Sequence, residues 1–142
     1  MMPEVRAAFA RFWGGFTTTT TPVATSPRRS LQAFAGMAPT GAQFPLIVFE
    51  VVRPASLQNA MTIARVVDRV PGQAGFSGRT DDILQQIDRR IGFSGFDLKI
   101  PNWGEVMLSQ GNPFQQYMSV PDPDDPLIVQ AVVNVEVRGR LP

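Results

Sequence analysis

The run Phe44–Val52, FPLIVFEVV, constrains the fold of this chain more than any other stretch. It is the densest apolar run in the sequence. Its β-branched and aromatic content is that of a strand buried on both faces. Pro45 brings no N–H to a ladder, so it belongs at the strand's beginning or on an edge, and Arg53-Pro54 closes the run. Such a strand needs partners beside it and layers over it. A chain of 142 residues, 44% apolar and 18% charged, is long enough to supply both within one domain, 1–142, with a real core.

Two amphipathic stretches can form the covering layer. Pro3 fits the first position of a helix and Glu4 suits the positive end of its dipole. Val5, Phe9, Phe12, Trp13 and Phe16 then recur at helical spacing, and Gly14-Gly15 frays the end. This stripe is either a core face or a docking face for a neighbouring subunit, with Phe12 and Trp13 at the contact. The second helix spans Thr80–Ile91. Thr80 is its N-cap, and Asp81 and Asp82 lie in the first turn. Ile83, Leu84, Ile87 and Ile91 form the buried stripe. Arg89 and Arg90 sit at the negative end before the stop at Gly92.

The remaining strands follow from alternation. Leu127–Arg138 places Leu127, Val129, Ala131, Val133, Val135 and Val137 on one face and Gln130, Asn134, Glu136 and Arg138 on the other, a strand buried on one side. Met61–Val70 fits both a helical stripe and a strand. Its three valines and one isoleucine favour the strand, and Pro71-Gly72 ends it either way. Thr17–Thr21 is an extended entry. Phe93–Pro101 leads to a strand at Glu105–Ser109, and a further short strand falls within Phe114–Val120. Pro22–Gln43, rich in Pro, Ser, Gly and Ala, is expected to be a long loop at 22–43, with room for a short helix around Ser30–Phe34. Its Arg28, Arg29, Leu31 and Phe34 suit a partner surface. The expected fold is α/β in the α+β sense: a mixed, mostly antiparallel sheet covered by an N-terminal helix and a middle helix at 80–91.

Chemistry is sparse. The chain has neither Cys nor His, so it lacks disulfides, thiolates and the commonest general base, zinc ligand and pH switch. A net charge of +1 argues against a dedicated nucleic-acid binder. Twelve of the thirteen basic residues are Arg, a residue suited to planar contacts at interfaces, although genome composition alone also yields such a bias. Arg28-Arg29 suits a nucleic acid, an acidic partner or simply a solvated loop. Asp122, Asp124 and Asp125 form the one dense carboxylate cluster, within PDPDDP, but their spacing is not that of an EF-hand loop and a solvated acidic turn is the default. Neither a phosphate-binding glycine motif nor a nucleophile elbow is present. The expectation is no enzyme, no cofactor and no metal. Arg6 and Arg11 interrupt the first sixteen residues, which do not form a signal peptide, and no apolar run reaches membrane-spanning length. The protein is expected in the cytoplasm or in a particle assembled there.

With PLIVFEVV (45–52), TDDILQQIDRRI (80–91) and DPLIVQAVVNVEVRG (125–139) in this order, the chain resembles the tail terminator, or tail-completion, proteins of tailed bacteriophages. The likeness runs from about residue 3 to 138 and consists of hydrophobic patterns rather than signature residues. The resemblance implies a structural role in the virion tail and neck. Family members form a hexameric ring that stops growth of the tail tube and joins the tail to the head-neck connector. Implied partners are further copies of the chain, the tail tube protein, neck and connector proteins and sheath, with genome DNA passing through the lumen without sequence-specific binding and no membrane involved.

Overall fold

The computed structural model describes residues 3–53, 59–69, 78–110, 118–121, 125 and 127–142, and structural statements concern these residues. Two helices, α1 (Pro3–Trp13) and α2 (Gly78–Ile91), accompany nine strands: β1 (Thr17–Thr19), β2 (Arg28–Ser30), β3 (Gln32–Ala35), β4 (Leu46–Val52), β5 (Ala60–Arg69), β6 (Phe96–Ile100), β7 (Gly104–Ser109), β8 (Met118–Pro121) and β9 (Ile128–Arg138). β1 and β2 make a small antiparallel sheet. The others form a seven-stranded sheet in the order β3-β4-β5-β9-β7-β6, with β8 pairing β9. Only β3–β4 is parallel, so this is the expected α+β fold with a mostly antiparallel sheet.

The centre of the sheet is β5 against β9, not Phe44–Val52. All ten residues of β5 pair with β9, which settles the ambiguous stretch from Met61 to Arg69 as strand; Val70 lies outside the described residues. Thr62, Ala64, Val66 and Asp68 are buried, whereas Met61, Arg65 and Arg69 are exposed. On β9 the buried set is Val129, Ala131, Val133, Val135 and Val137, the alternation read from the sequence. β4 is only partly the doubly buried strand expected of its composition. Leu46 and Ile47 are both buried, but burial alternates from Val48 onward, and Glu50 and Val52 are exposed. Pro45 precedes the strand, as its missing N–H requires, and its bond to Phe44 is cis.

Val5, Phe9, Phe12 and Trp13 of α1 and Ile83, Leu84, Ile87 and Ile91 of α2 join one core with Ile47, Phe49, Ala64, Val66, Val133 and Leu108 from a single face of the sheet. Apolar side chains at this spacing leave water together only if the helix lies flat on the strands. The Trp13 Nε1–H donates to the Thr62 hydroxyl at 3.0 Å, and that hydroxyl donates to the Glu50 carbonyl at 2.9 Å, so the polar atoms of the buried indole and threonine are satisfied. α2 starts two residues before the expected cap. Thr80 lies inside the helix, fully buried, rather than at its N-cap. The helix ends as its sequence requires: Gly92 has φ 60° and its N–H reaches the Asp88 carbonyl at 2.8 Å.

Two further corrections concern short strands. Pro22–Gln43 is not one loop and holds no helix. Its middle forms β2 and β3, because Leu31 between them is buried at 2% exposure and its N–H bonds the Phe16 carbonyl at 2.9 Å. The stretch taken as a lead-in from Phe93 contains β6, whose buried Leu98 and Ile100 alternate with exposed Asp97 and Lys99 over only five residues. Of the strand expected within Phe114–Val120, β8 covers Met118 onward; residues 111–117 lie outside the described set.

Candidate interaction surface

The six residues expected at a partner surface separate into three groups. Phe12, Trp13 and Leu31 are 3%, 0% and 2% exposed, buried in the chain's own core and not offered to a neighbour. Phe12 makes edge contacts with Trp13 (4.9 Å between centroids) and Phe16 (5.7 Å) and meets Phe96 at 5.2 Å. Those contacts, together with the buried area of each ring, hold the aromatic stripe inside. Arg28 and Arg29 brace the chain internally. The Arg28 guanidinium donates to the Thr17 hydroxyl at 2.8 Å and to an Asp82 carboxylate oxygen at 3.0 Å, tying β2 to α2 while remaining half exposed. Arg29 donates to the carbonyls of Phe44 (2.9 Å) and Pro45 (3.2 Å) just before β4. Burial holds its pKa below the usual arginine value, with Arg79 adding to that effect and Asp68 opposing it. Phe34 is half-buried on edge strand β3, where it pairs in register with Val48.

A related brace closes the far end of the sheet. Asp68 on β5 is 1% exposed and accepts from Arg79 Nη2 at 2.9 Å, while Arg79 also donates to the Thr19 carbonyl at 3.3 Å. One buried ion pair thus holds β5, the first turn of α2 and the end of β1 together.

Phe34 and Val48 point to the sheet's second face, opposite the helices. There β4 presents Val48, Glu50 and Val52, β5 presents Met61, Ile63, Arg65 and Val67, and β9 presents Ile128, Gln130 and Val132. The face is neither a core nor a fully solvated surface. Val52 and Met61, partners in register, are 40% and 37% exposed. The same face carries loose charge pairs: Arg65 to Glu50 at 3.8 Å and Arg138 to Glu136 at 3.6 Å, with Asn59 donating to Glu136 at 2.7 Å. Exposed pairs of this kind hold little stability, and they leave the charges available to a partner.

Residues 36–44 fold over part of this face and form with it a cavity of about 490 Å³ that is open to solvent. Leu46, Val48, Val67 and Ile128 line it from the sheet, Met37 and Phe44 from the loop, and Arg65 and Gln130 supply the polar groups. Large apolar side chains stand free elsewhere. Phe93, in the turn between α2 and β6, is 99% exposed, and Trp103 is 50% exposed with its Nε1–H donating to the Arg140 carbonyl at 3.1 Å.

Neither the cavity nor Phe93 was singled out in the sequence. The signals were there: Arg65 and Val67 share the outward phase of β5, and Phe93 lies in Gly-Phe-Ser-Gly, a tetrapeptide that occurs at both 75–78 and 92–95. Of the acidic turn, Asp122 and Asp124 lie outside the described residues, while Asp125 accepts the Leu127 N–H at 3.0 Å and pairs with Arg69 at 3.6 Å. Among the described residues no helix is long and apolar enough to cross a membrane. Comparison with protein-family models, with curated proteins and with solved structures finds no match for this chain.

Proposed function

We propose that this protein is a structural subunit of a tailed-phage particle, similar to the tail terminators, that assembles with further copies of itself into a ring capping the tail tube. One observation carries the reading. Two helices of the chain cover one sheet face, while the other carries half-exposed aliphatic side chains, loosely held charges and a cavity. Such a mixture of apolar area and rim charge suits a protein surface. In this role the partners are further copies in a ring, six on the resemblance, the tail tube protein, the neck and connector proteins, and sheath. Genome DNA passes through the lumen without being read. The place of action is the virion tail and neck, assembled in the host cytoplasm, and the reading assigns the chain no catalytic step.

Electron microscopy of the particle, with an antibody or a fused density marking this chain, is the direct test. The expected result is a ring at the head-proximal end of the tube. Density elsewhere in the neck or tail would make it a head–tail stopper or a tube-like subunit instead. The cavity favours a second reading, a small ligand-binding α/β domain of the cell. Absence of the chain from purified particles, with a small molecule retained on purification, would select that one.

A further inference from the structure

We infer that Phe93 of one copy seats in the cavity behind β4 and β5 of the next copy, with Arg65 lying over its ring. The inference deepens the ring reading above and rests on it for the closed assembly.

The exposed side chain comes first. Phe93 is 99% exposed, and the turn that carries it is held at both ends. Gly92 and Gly95 take φ 60° and 85°, and a Cβ at Gly95 would come within 2.8 Å of Met107 Cγ. The ring therefore projects from a fixed base, and seating it sacrifices little backbone freedom. Removing one such ring from water contributes on the order of a hundredfold to an association constant.

The cavity has room for that side chain. Its volume is about 490 Å³, and an apolar cavity of roughly 150 Å³ already takes up benzene. Leu46, Val48, Val67 and Ile128 provide an aliphatic floor. Arg65 lines the cavity, and among the described residues its ion pair is with Glu50 at 3.8 Å, with both side chains about half exposed. A guanidinium so placed can move over an aromatic face, as Arg90 already lies 4.6 Å from the ring centroid of Phe16 in this chain.

Charge completes the match. Arg89, one helical turn before Phe93, is exposed and has no ion pair among the described residues. Glu50 follows Val48 on the same face of β4, and it loses Arg65 as a partner when Arg65 covers the ring. Arg89 of the incoming copy then replaces Arg65 beside Glu50.

The two halves of the contact lie on different parts of the sheet. Phe93 precedes edge strand β6, whereas the cavity lies over β4, β5 and the start of β9. A contact between two different patches repeats head to tail and closes into a ring when the rotation allows.

Sedimentation of the purified chain with two variants tests this. Phe93→Ser removes the projecting ring at an exposed position. Ala42→Trp fills the cavity from its loop wall, away from the helix-covered core. Wild type is expected to form oligomers. Each variant alone should be a monomer with the wild-type melting temperature. An equimolar mixture should stop at a dimer, because one variant supplies an open cavity and the other an intact Phe93. Phe93→Ser assembling like wild type, a mixture that stays monomeric, or a wild type that is monomeric up to millimolar concentration would each overturn the inference. So would native mass spectrometry showing a small apolar molecule held in the wild-type cavity. Tails carrying Phe93→Ser with a normal ring would remove the Phe93 contact and leave the ring. Phe93-dependent oligomers of a chain absent from tails would do the reverse.

Discussion

The same strands, β4, β5 and β9, show two chemically different faces. Toward the helices stand Ile47, Phe49, Ala64, Val66, Ala131 and Val133, all at most 2% exposed. Away from them stand Glu50, Val52, Met61, Arg65, Gln130 and Glu136, exposed or half-exposed. A strand has a period of two, so one backbone serves both purposes, and a substitution one position along moves from one regime to the other. The helix-covered face should govern stability. The open face should govern association and leave the fold of the free chain nearly untouched.

The largest effect is expected at Ile87, fully buried on α2. Ile87→Asp places an unpaired carboxylate in the core, at a cost on the order of several kcal/mol against a total stability of roughly 5–15 kcal/mol. The protein should be insoluble or unfolded by circular dichroism. A wild-type melting curve would show that α2 does not seal this face. Asp68→Ala comes next. It leaves Arg79, with a side chain only 10% exposed, without its buried partner, and should cost about 3–5 kcal/mol in urea unfolding. A loss under 1 kcal/mol, roughly the range of an exposed pair, would mean that water reaches the site.

Trp13→Phe is a milder probe of the same face. It removes the donor to Thr62 and part of a buried ring, for a loss of about 1–3 kcal/mol. An unchanged midpoint in urea would show that the indole hydrogen bond carries no weight. The smallest effect belongs to the open face. Glu50→Ala breaks a 3.8 Å pair whose members are about half exposed, and should shift stability by less than about 1 kcal/mol. Self-association, followed by light scattering on the same samples, should weaken. A stability loss as large as that of Trp13→Phe would erase the distinction between the two faces.

Much of the helix-covered face was legible in the sequence, because a long run with a clean period states its own burial. Leu127–Arg138 and Ile83–Ile91 needed no tertiary information. Met61–Val70 is ambiguous in sequence, since its residues satisfy both periods, and its described part, β5, is settled only by β4 and β9 on either side. Leu31 failed for the opposite reason. One apolar residue between Ser30 and Gln32 carries no period, and the backbone bond that places it runs to the carbonyl of Phe16, distant in sequence. The open face was the least legible part. Its aliphatic residues are interleaved with charges on β4, β5 and β9, the last far from the other two in the chain, and no local window contains them together.

The position of β9 has a consequence for the order in which the fold can form. This strand is synthesised after all the others described, yet it pairs with β5 along the whole of that strand and also with β7 and β8. While it is still within the ribosome, β5 has an unpaired edge and the β6–β7 hairpin has no sheet to join. Open edges of this kind recruit other chains. Closure is therefore a late, nonlocal event, slow by the standards of locally connected folds. A nascent chain arrested before Ile128 would be a candidate for chaperone capture, not a smaller version of the domain.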